Sequence, residues 1–268
     1  MPTTDVNPIE TRLLDGKELA RRIRAEIATE IERLKLTPSL GVILVGDDPA
    51  SKLYVSLKGK AGAEVGIRCH LIEIPADAKP EALLAAVHDL NHRPDIDGIL
   101  VQFPLPPGFD PQAVIDVIDP AKDADGFRAD SPVASPLIEA VLELVRASEL
   151  EPQGHSAKVW ANSPVFTERL MSRLTTLGFV PGEPADLAVV AVGKPRYLTM
   201  DKVKPGGVVI DVGTNREGDK VVGDADAASL MGRVSAMSPV PGGVGPLTVA
   251  MLMKNVLALA KRRANIKG

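Results

Sequence analysis

Along the first third of the chain, apolar residues recur at two spacings. Over residues 13–34 (LLDGKELARRIRAEIATEIERL) they return every three or four positions with charges between them, the repeat of a helix that buries one face. In SLGVILVGD, residues 39–47, they run together between Pro38 and Gly46, as in a strand buried on both sides. Asp48 and Pro49 suit the N-cap and first turn of a helix, PASKLYVSLKGKAGAEV, that stops at Gly66. RCHLIEIP predicts a second strand, KPEALLAAVHDLNH a helix, and DGILVQFPLP a third strand ending in prolines. Strands separated by helices of ten or more residues predict an α/β fold, a parallel sheet with helices on its faces, over residues 1–127.

The second half repeats the theme more sparsely. It predicts a helix at 136–147, a strand at 157–161, a helix at 165–177, and strands at 186–193 and 206–213. A glycine-rich turn, SPVPGGVGPLT (238–248), then opens a last helix, VAMLMKNVLALAKRR. The pattern alone leaves open which half that helix packs on.

Composition narrows the function classes. The 268 residues are 45% hydrophobic and 25% charged, ordinary for a globular enzyme, with a net charge of −4 from interspersed signs. Such a surface offers no field for a polyanion, and 3% aromatic residues leave few platforms for stacking bases, so nucleic acid is not an expected partner. Cys69 is the only cysteine, which excludes an intrachain disulfide and a thiolate metal cluster and suits a reducing cytoplasm. No run approaches eighteen consecutive apolar residues, so neither a signal peptide nor a membrane span is expected. His70, His88, His92 and His155 lack metal-ligand spacing, and no metal is expected.

Four stretches could carry chemistry. In YVSLKGK, Tyr54 and Lys58 are four apart and share a helix face, while Lys60 points elsewhere. Gln102 is a polar residue near the C-terminal end of the apolar strand GILVQF, where open parallel sheets place ligands; an amide there needs partners. Asp123 and Asp125 lie in a loop, PAKDADGF, that a turn would explain equally well. The glycines of PVPGGVGP let a backbone approach a ligand, although the Lys-Ser/Thr ending of a nucleotide P-loop is missing.

Together these stretches resemble the FolD family, the bifunctional methylenetetrahydrofolate dehydrogenases and methenyltetrahydrofolate cyclohydrolases. LGVILVGDDPASKLYVSLKGKAGAEVGI, DGILVQFPLP, DPAKDADGF, VVAVGKP, KPGGVVIDVGTNR and SPVPGGVGPLTVAMLMKN all align in order. The resemblance implies two three-layer α/β domains with mostly parallel sheets: a folate-binding catalytic domain of residues 1–127 plus the returning helix 247–264, and a reduced Rossmann-like domain of residues 128–246. It also implies a homodimer joined through the second domain, with tetrahydrofolate derivatives as substrates. Carried over, Lys58 is the catalytic lysine, Gln102 its hydrogen-bonding partner, Tyr54 a stacking surface for the folate and Asp125 the anchor of the pterin. Val101, Phe103, Asp123 and the loop Pro241, Gly242, Gly243, Val244, Gly245 complete the substrate walls.

One part departs from the family. Where the resemblance implies a loop GRSxxVGxP, this chain reads ANSPVFTER: Ala161 replaces the first glycine, Asn162 the arginine, Thr167 the second glycine and Arg169 the proline, and only Ser163 agrees. Only eight residues, GFVPGEPA, then lie between the helix ending near Leu177 and the strand at 186, too few for a parallel crossover. The expectation is therefore a cyclohydrolase whose NADP-dependent dehydrogenase step is lost or weak and which needs no cofactor. The alternatives are the complete bifunctional enzyme, holding NADP in an altered mode through VGKP and Thr214 with Ser163, and a folate-binding paralogue without turnover.

Overall fold

The computed structural model describes residues 9–266, and its elements run in chain order as strand β1 (Arg12–Leu13), helix α1 (Gly16–Leu34), β2 (Ser39–Val45), α2 (Pro49–Val65), β3 (Arg68–Ile74), α3 (Pro80–His92), β4 (Gly98–Val101), α4 (Pro111–Val117), α5 (Pro136–Ser148), β5 (Ser156–Ala161), α6 (Pro164–Leu177), β6 (Val180–Pro181), β7 (Ala185–Ala191), β8 (Val203–Asp211), β9 (Asn215–Glu217), β10 (Lys220–Val222), α7 (Ala227–Leu230), β11 (Ala236–Met237) and α8 (Val244–Arg263). They divide into two compact units.

The first unit takes Ala20–Pro136 and the chain from Thr248 on. Its sheet has the order β3-β2-β4, parallel throughout. All seven residues of the central strand β2 are buried, which is why its sequence is an unbroken apolar run. Ile43, Val45, Ile99 and Val101 pack on Leu83, Val87 and Leu90 of α3 and Val114 of α4. The chain leaves β2 through α2 to reach β3 on one side, then returns through α3 to β4 on the other. The carboxyl ends of β2 and β4 thus border a point where the strand order reverses, the place such sheets keep for ligands.

Helix α2 follows its sequence signals closely. The Asp48 carboxylate accepts a hydrogen bond from Ser51 N (2.8 Å), Pro49 fills the first turn, and Gly66 (φ 84°) ends the helix in the left-handed region. Helix α8, long and apolar enough by length and composition to span a membrane, has 61% of its apolar window buried in the protein. Leu252, Met253, Val256 and Leu259 are core residues.

The second unit takes residues 9–19 and Leu137–Leu247. Its sheet has the order β1-β11-β8-β7-β5-β6, every pair parallel, and the hairpin β9–β10 stands apart from it. Val190, Val209, Leu198, Leu230, Val234 and Met237 form the core on one side.

Several expectations change here. The first helix begins at Gly16, because Arg12 and Leu13 extend alongside Ala236 and Met237 in the second unit's sheet. Residues 9–19 therefore belong with the second unit, not with residues 20–127. Residues 128–136 belong with the first: Arg128 N donates to Asp123 and its guanidinium to Asp116 O (2.7 Å), which holds the segment there. The last helix starts at Val244, inside the glycine-rich stretch, and takes in Gly245 and Pro246. The eight residues after Leu177 do build a strand, the two-residue β6, parallel to the start of β5 at the edge. No helix follows it; the chain passes through three residues to β7 on the other side of β5.

Candidate functional site

Lys58, Gln102 and Asp125 come together in the first unit, each delivered by a different element. Helix α2 leaves the end of β2 and carries Lys58 two turns along, with exposed Tyr54 one turn earlier on the same face. Gln102 is the first residue beyond β4; its backbone N–H continues the sheet by donating to Ile43 O (2.8 Å), which fixes its side chain beyond the strand ends. The amide is buried, and both its ends are used. Its Oε1 accepts from Lys58 Nζ at 2.8 Å, and its Nε2 donates to Phe103 O at 2.5 Å.

Asp125 sits on a loop that begins as an extension of the sheet. Asp123 bridges to Ile99 of β4, and Ala124 N donates to Ile99 O (3.2 Å). Asp123 has no exposed surface, and one of its oxygens accepts from Arg128 N (2.9 Å), so it shapes the loop rather than lining an open wall. Phe103 and Phe127 meet edge to face, ring centres 5.5 Å apart, and Val101, the last residue of β4, is buried in the core that Phe103 packs against.

The electrostatics suit proton transfer. Burial lowers the pKa of the Lys58 ammonium, while the charge of Asp125 pulls it back up. Burial pushes the Asp125 carboxyl up to about 6, with Lys58 acting against that and Asp123 adding to it. Gln102 contacts the amine without a charge of its own, so it orients Lys58 and leaves its neutral form accessible.

Pro241–Gly245 belong to the second unit up to the start of α8. Gly242 and Gly243 are buried, and Gly243 N donates to Pro239 O (2.8 Å). A Cβ on Gly16 would lie 1.9 Å from Gly243 O, so the start of α1 and this loop touch backbone to backbone.

The turn between β5 and α6 is where a dinucleotide fold would seat a pyrophosphate on free N–H groups. Here Pro164 in the first turn has no N–H, and Ser163 Oγ already accepts from Phe166 N (3.2 Å). Asn162 donates its amide to Val192 O (2.6 Å). This turn does not fit a pyrophosphate. Next to it, the backbone N–H groups of Val192, Gly193 and Lys194 are taken by the buried Asp224 (2.6, 2.8 and 2.9 Å), whose own N–H donates to buried Asp211. Thr214 is exposed. Sequence reasoning missed both aspartates: Asp211 reads as one residue of its strand, β8, and Asp224 as a turn residue after β10. Among the described residues no group of histidine, cysteine and carboxylate side chains could hold a metal.

A buried amine hydrogen-bonded to a neutral amide, with a buried carboxylate close enough to act on its charge, at the strand ends of a parallel sheet, is an arrangement suited to proton transfer in an α/β enzyme. Residues 14–125 match the family model for the tetrahydrofolate dehydrogenase/cyclohydrolase catalytic domain, and residues 181–264 match that for its NAD(P)-binding domain. The chain belongs to the tetrahydrofolate dehydrogenase/cyclohydrolase, or FolD, family.

Its relatives agree. It is 41% identical to the Bifunctional protein FolD of Desulfovibrio desulfuricans over 94% of this chain and 99% of the relative. It is 40% identical to that of Acetivibrio thermocellus over 97% and 100%. The crystal structure of the bifunctional FolD of Campylobacter jejuni superposes with a TM-score of 0.90 at 35% identity, covering 94% of this chain and 99% of that one. The dehydrogenase-cyclohydrolase of Trypanosoma brucei, solved with NADP and an inhibitor, gives 0.90 at 31% identity over 98% and 99%. The Desulfovibrio alignment spans 281 positions but draws on 94% of a 268-residue chain, so about thirty positions of the relative have no counterpart here. Residues 126–180, with the β5–α6 turn, lie outside both family models.

Proposed function

We propose that this chain hydrolyses 5,10-methenyltetrahydrofolate to 10-formyltetrahydrofolate, with Lys58 as general base. The hydrogen bond from Lys58 Nζ to Gln102 Oε1, made where burial disfavours the ammonium, is the observation that carries this reading. The substrate holds a delocalised cation at its methenyl bridge. Water adds to that carbon and gives a proton to neutral Lys58; the carbinol proton then passes to N5 as the bond between N5 and the carbon breaks. A bound cation lowers the lysine's pKa further, so the substrate helps generate its own base. Asp125 offers a carboxylate to the N–H edge of the pterin, Tyr54 a face for stacking, and Val101 and Phe103 apolar walls.

For the whole chain, the complete bifunctional enzyme is backed better than loss of the dehydrogenase step. The NAD(P)-binding domain match over residues 181–264 and the relatives named bifunctional support it. That span includes VGKP and Thr214 and excludes the β5–α6 turn, so in this reading NADP is held with a weakened grip on its pyrophosphate. Loss of the step is supported by the turn alone. Two assays on the purified chain separate the readings. Hydrolysis of methenyltetrahydrofolate together with NADPH formed from methylenetetrahydrofolate establishes the bifunctional enzyme. Hydrolysis with no NADPH and no binding on titration with NADP establishes the cyclohydrolase alone, and folate binding with neither activity refutes both.

A further inference from the structure

We infer that Asn255, on α8, is a positioning residue whose side-chain amide clamps the two ends of the loop that carries Asp125 to the neighbourhood of Lys58. The inference rests on the reading of Lys58 as the general base. Asn255 is 8% exposed, and its Nδ2 donates to Ala124 O (2.9 Å) and to Ala134 O (2.8 Å), so both of its N–H bonds are spent. Ala124 precedes Asp125 directly, and Ala134 is where the same loop comes back.

Between those points the loop closes on itself. Gly126 has φ +60°, and a Cβ there would lie 2.6 Å from Ala134 C and 2.7 Å from Val133 O. Asp123 takes the N–H of Arg128 at 2.9 Å and, through its carbonyl, the hydroxyl of Ser131 at 3.3 Å. Ala124 N is tied to β4, and the carbonyl of this fully buried residue accepts from α8 through Asn255.

An asparagine is a poor choice for the interior of a helix, and this one lies among Met251, Leu252, Met253, Val256 and Leu257, all buried. A buried amide is kept where its partners are specific, and without it two buried carbonyls lose a donor. Asn255 touches neither Lys58 nor Gln102 in the hydrogen-bond network; it acts through the loop.

The test follows Lys58 itself. In the unliganded full chain, the Nζ of Lys58 is titrated by NMR in the wild type, Asn255→Ala, Asp125→Asn and the double variant, with KM and kcat for methenyltetrahydrofolate measured alongside. Since the Asp125 charge raises the pKa of Lys58, a loosened loop lowers it. Asn255→Ala is expected to give at least half the downward shift of Asp125→Asn, the double variant no more than Asp125→Asn alone, and KM to rise several-fold with a smaller change in kcat. Asn255→Ser, which keeps one donor, is expected to fall between wild type and Asn255→Ala, and it carries the test if the alanine variant does not fold. An unmoved Lys58 titration in a folded variant of lowered Tm, or shifts that simply add in the double variant, overturns the inference. The titration needs no substrate, so a wild type that fails to hydrolyse methenyltetrahydrofolate sinks the functional reading and leaves this test standing.

Discussion

Gln102 touches Lys58 through a hydrogen bond and Asp125 acts on it through charge, and each makes a separate prediction at the scale of one residue. Gln102→Glu places a carboxylate 2.8 Å from the amine. That stabilises the ammonium, so the rise of kcat/KM with pH moves to higher pH and the rate at pH 7 falls; a profile over pH 5–10 checks it. Asp125 bears on stability. Its folded-state pKa, about 6, lies above the usual 3.8, so the folded protein binds more protons than the unfolded chain between those values. Its contribution is fully present below pH 3.8 and is lost as pH rises through 6. Asp125→Asn is therefore expected to raise Tm at pH 7.5 relative to wild type, with the gain shrinking toward pH 4. A gain that is constant over this range contradicts the assignment.

At the scale of elements, two helix ends separate structural from functional roles. Gly66 closes α2 at φ +84°, and its missing Cβ would meet only Ile31 Cγ2 at 3.5 Å, so Gly66→Ala tests backbone strain without a clash. It should cost about 1 kcal/mol of unfolding free energy in urea titration. Ser163 caps α6, and Ser163→Ala should cost about 1 kcal/mol while leaving NADP titration unchanged. A large loss of NADP affinity instead would show the hydroxyl serving the cofactor.

The same elements show what the chain makes legible. Asp48, Pro49 and Gly66 announce α2 because capping is local chemistry. Gln102 stands out because a lone polar residue ends an apolar run. β1 leaves no such mark: two residues pair with Ala236 and Met237, more than two hundred positions away, and nothing near Arg12 encodes that partner. β6 is equally short, and the rule that a crossover needs a dozen residues misses it because the chain passes the end of β5 without a helix. Asn255 reads as one polar residue in a mostly apolar helix; only the fold brings Ala124 and Ala134 to it.

At the scale of the whole molecule, the two units carry unequal shares of the account. Residues 20–136 hold Lys58, Gln102 and Asp125 within one sheet-and-helix unit, so the proposed hydrolytic residues come together without help from the β5–α6 turn. The second unit keeps a parallel six-stranded sheet, yet β6 has only two residues, and Pro164, Ser163 and Asp224 use up or remove N–H groups at its strand ends. Hydrolysis and cofactor binding should therefore respond to different changes. Restoring a glycine-rich β5–α6 turn should tighten NADP binding in a thermal-shift titration and leave hydrolysis of methenyltetrahydrofolate within about twofold of wild type, since the two sites share no residue.

The most direct measurement is the rate of methenyltetrahydrofolate hydrolysis by the full chain before and after Lys58→Met, with folate binding measured in parallel. The account predicts a loss of about 10²-fold to 10⁴-fold, with the ligand still bound, because a positioned general base contributes that much. A variant that hydrolyses at the wild-type rate would contradict it.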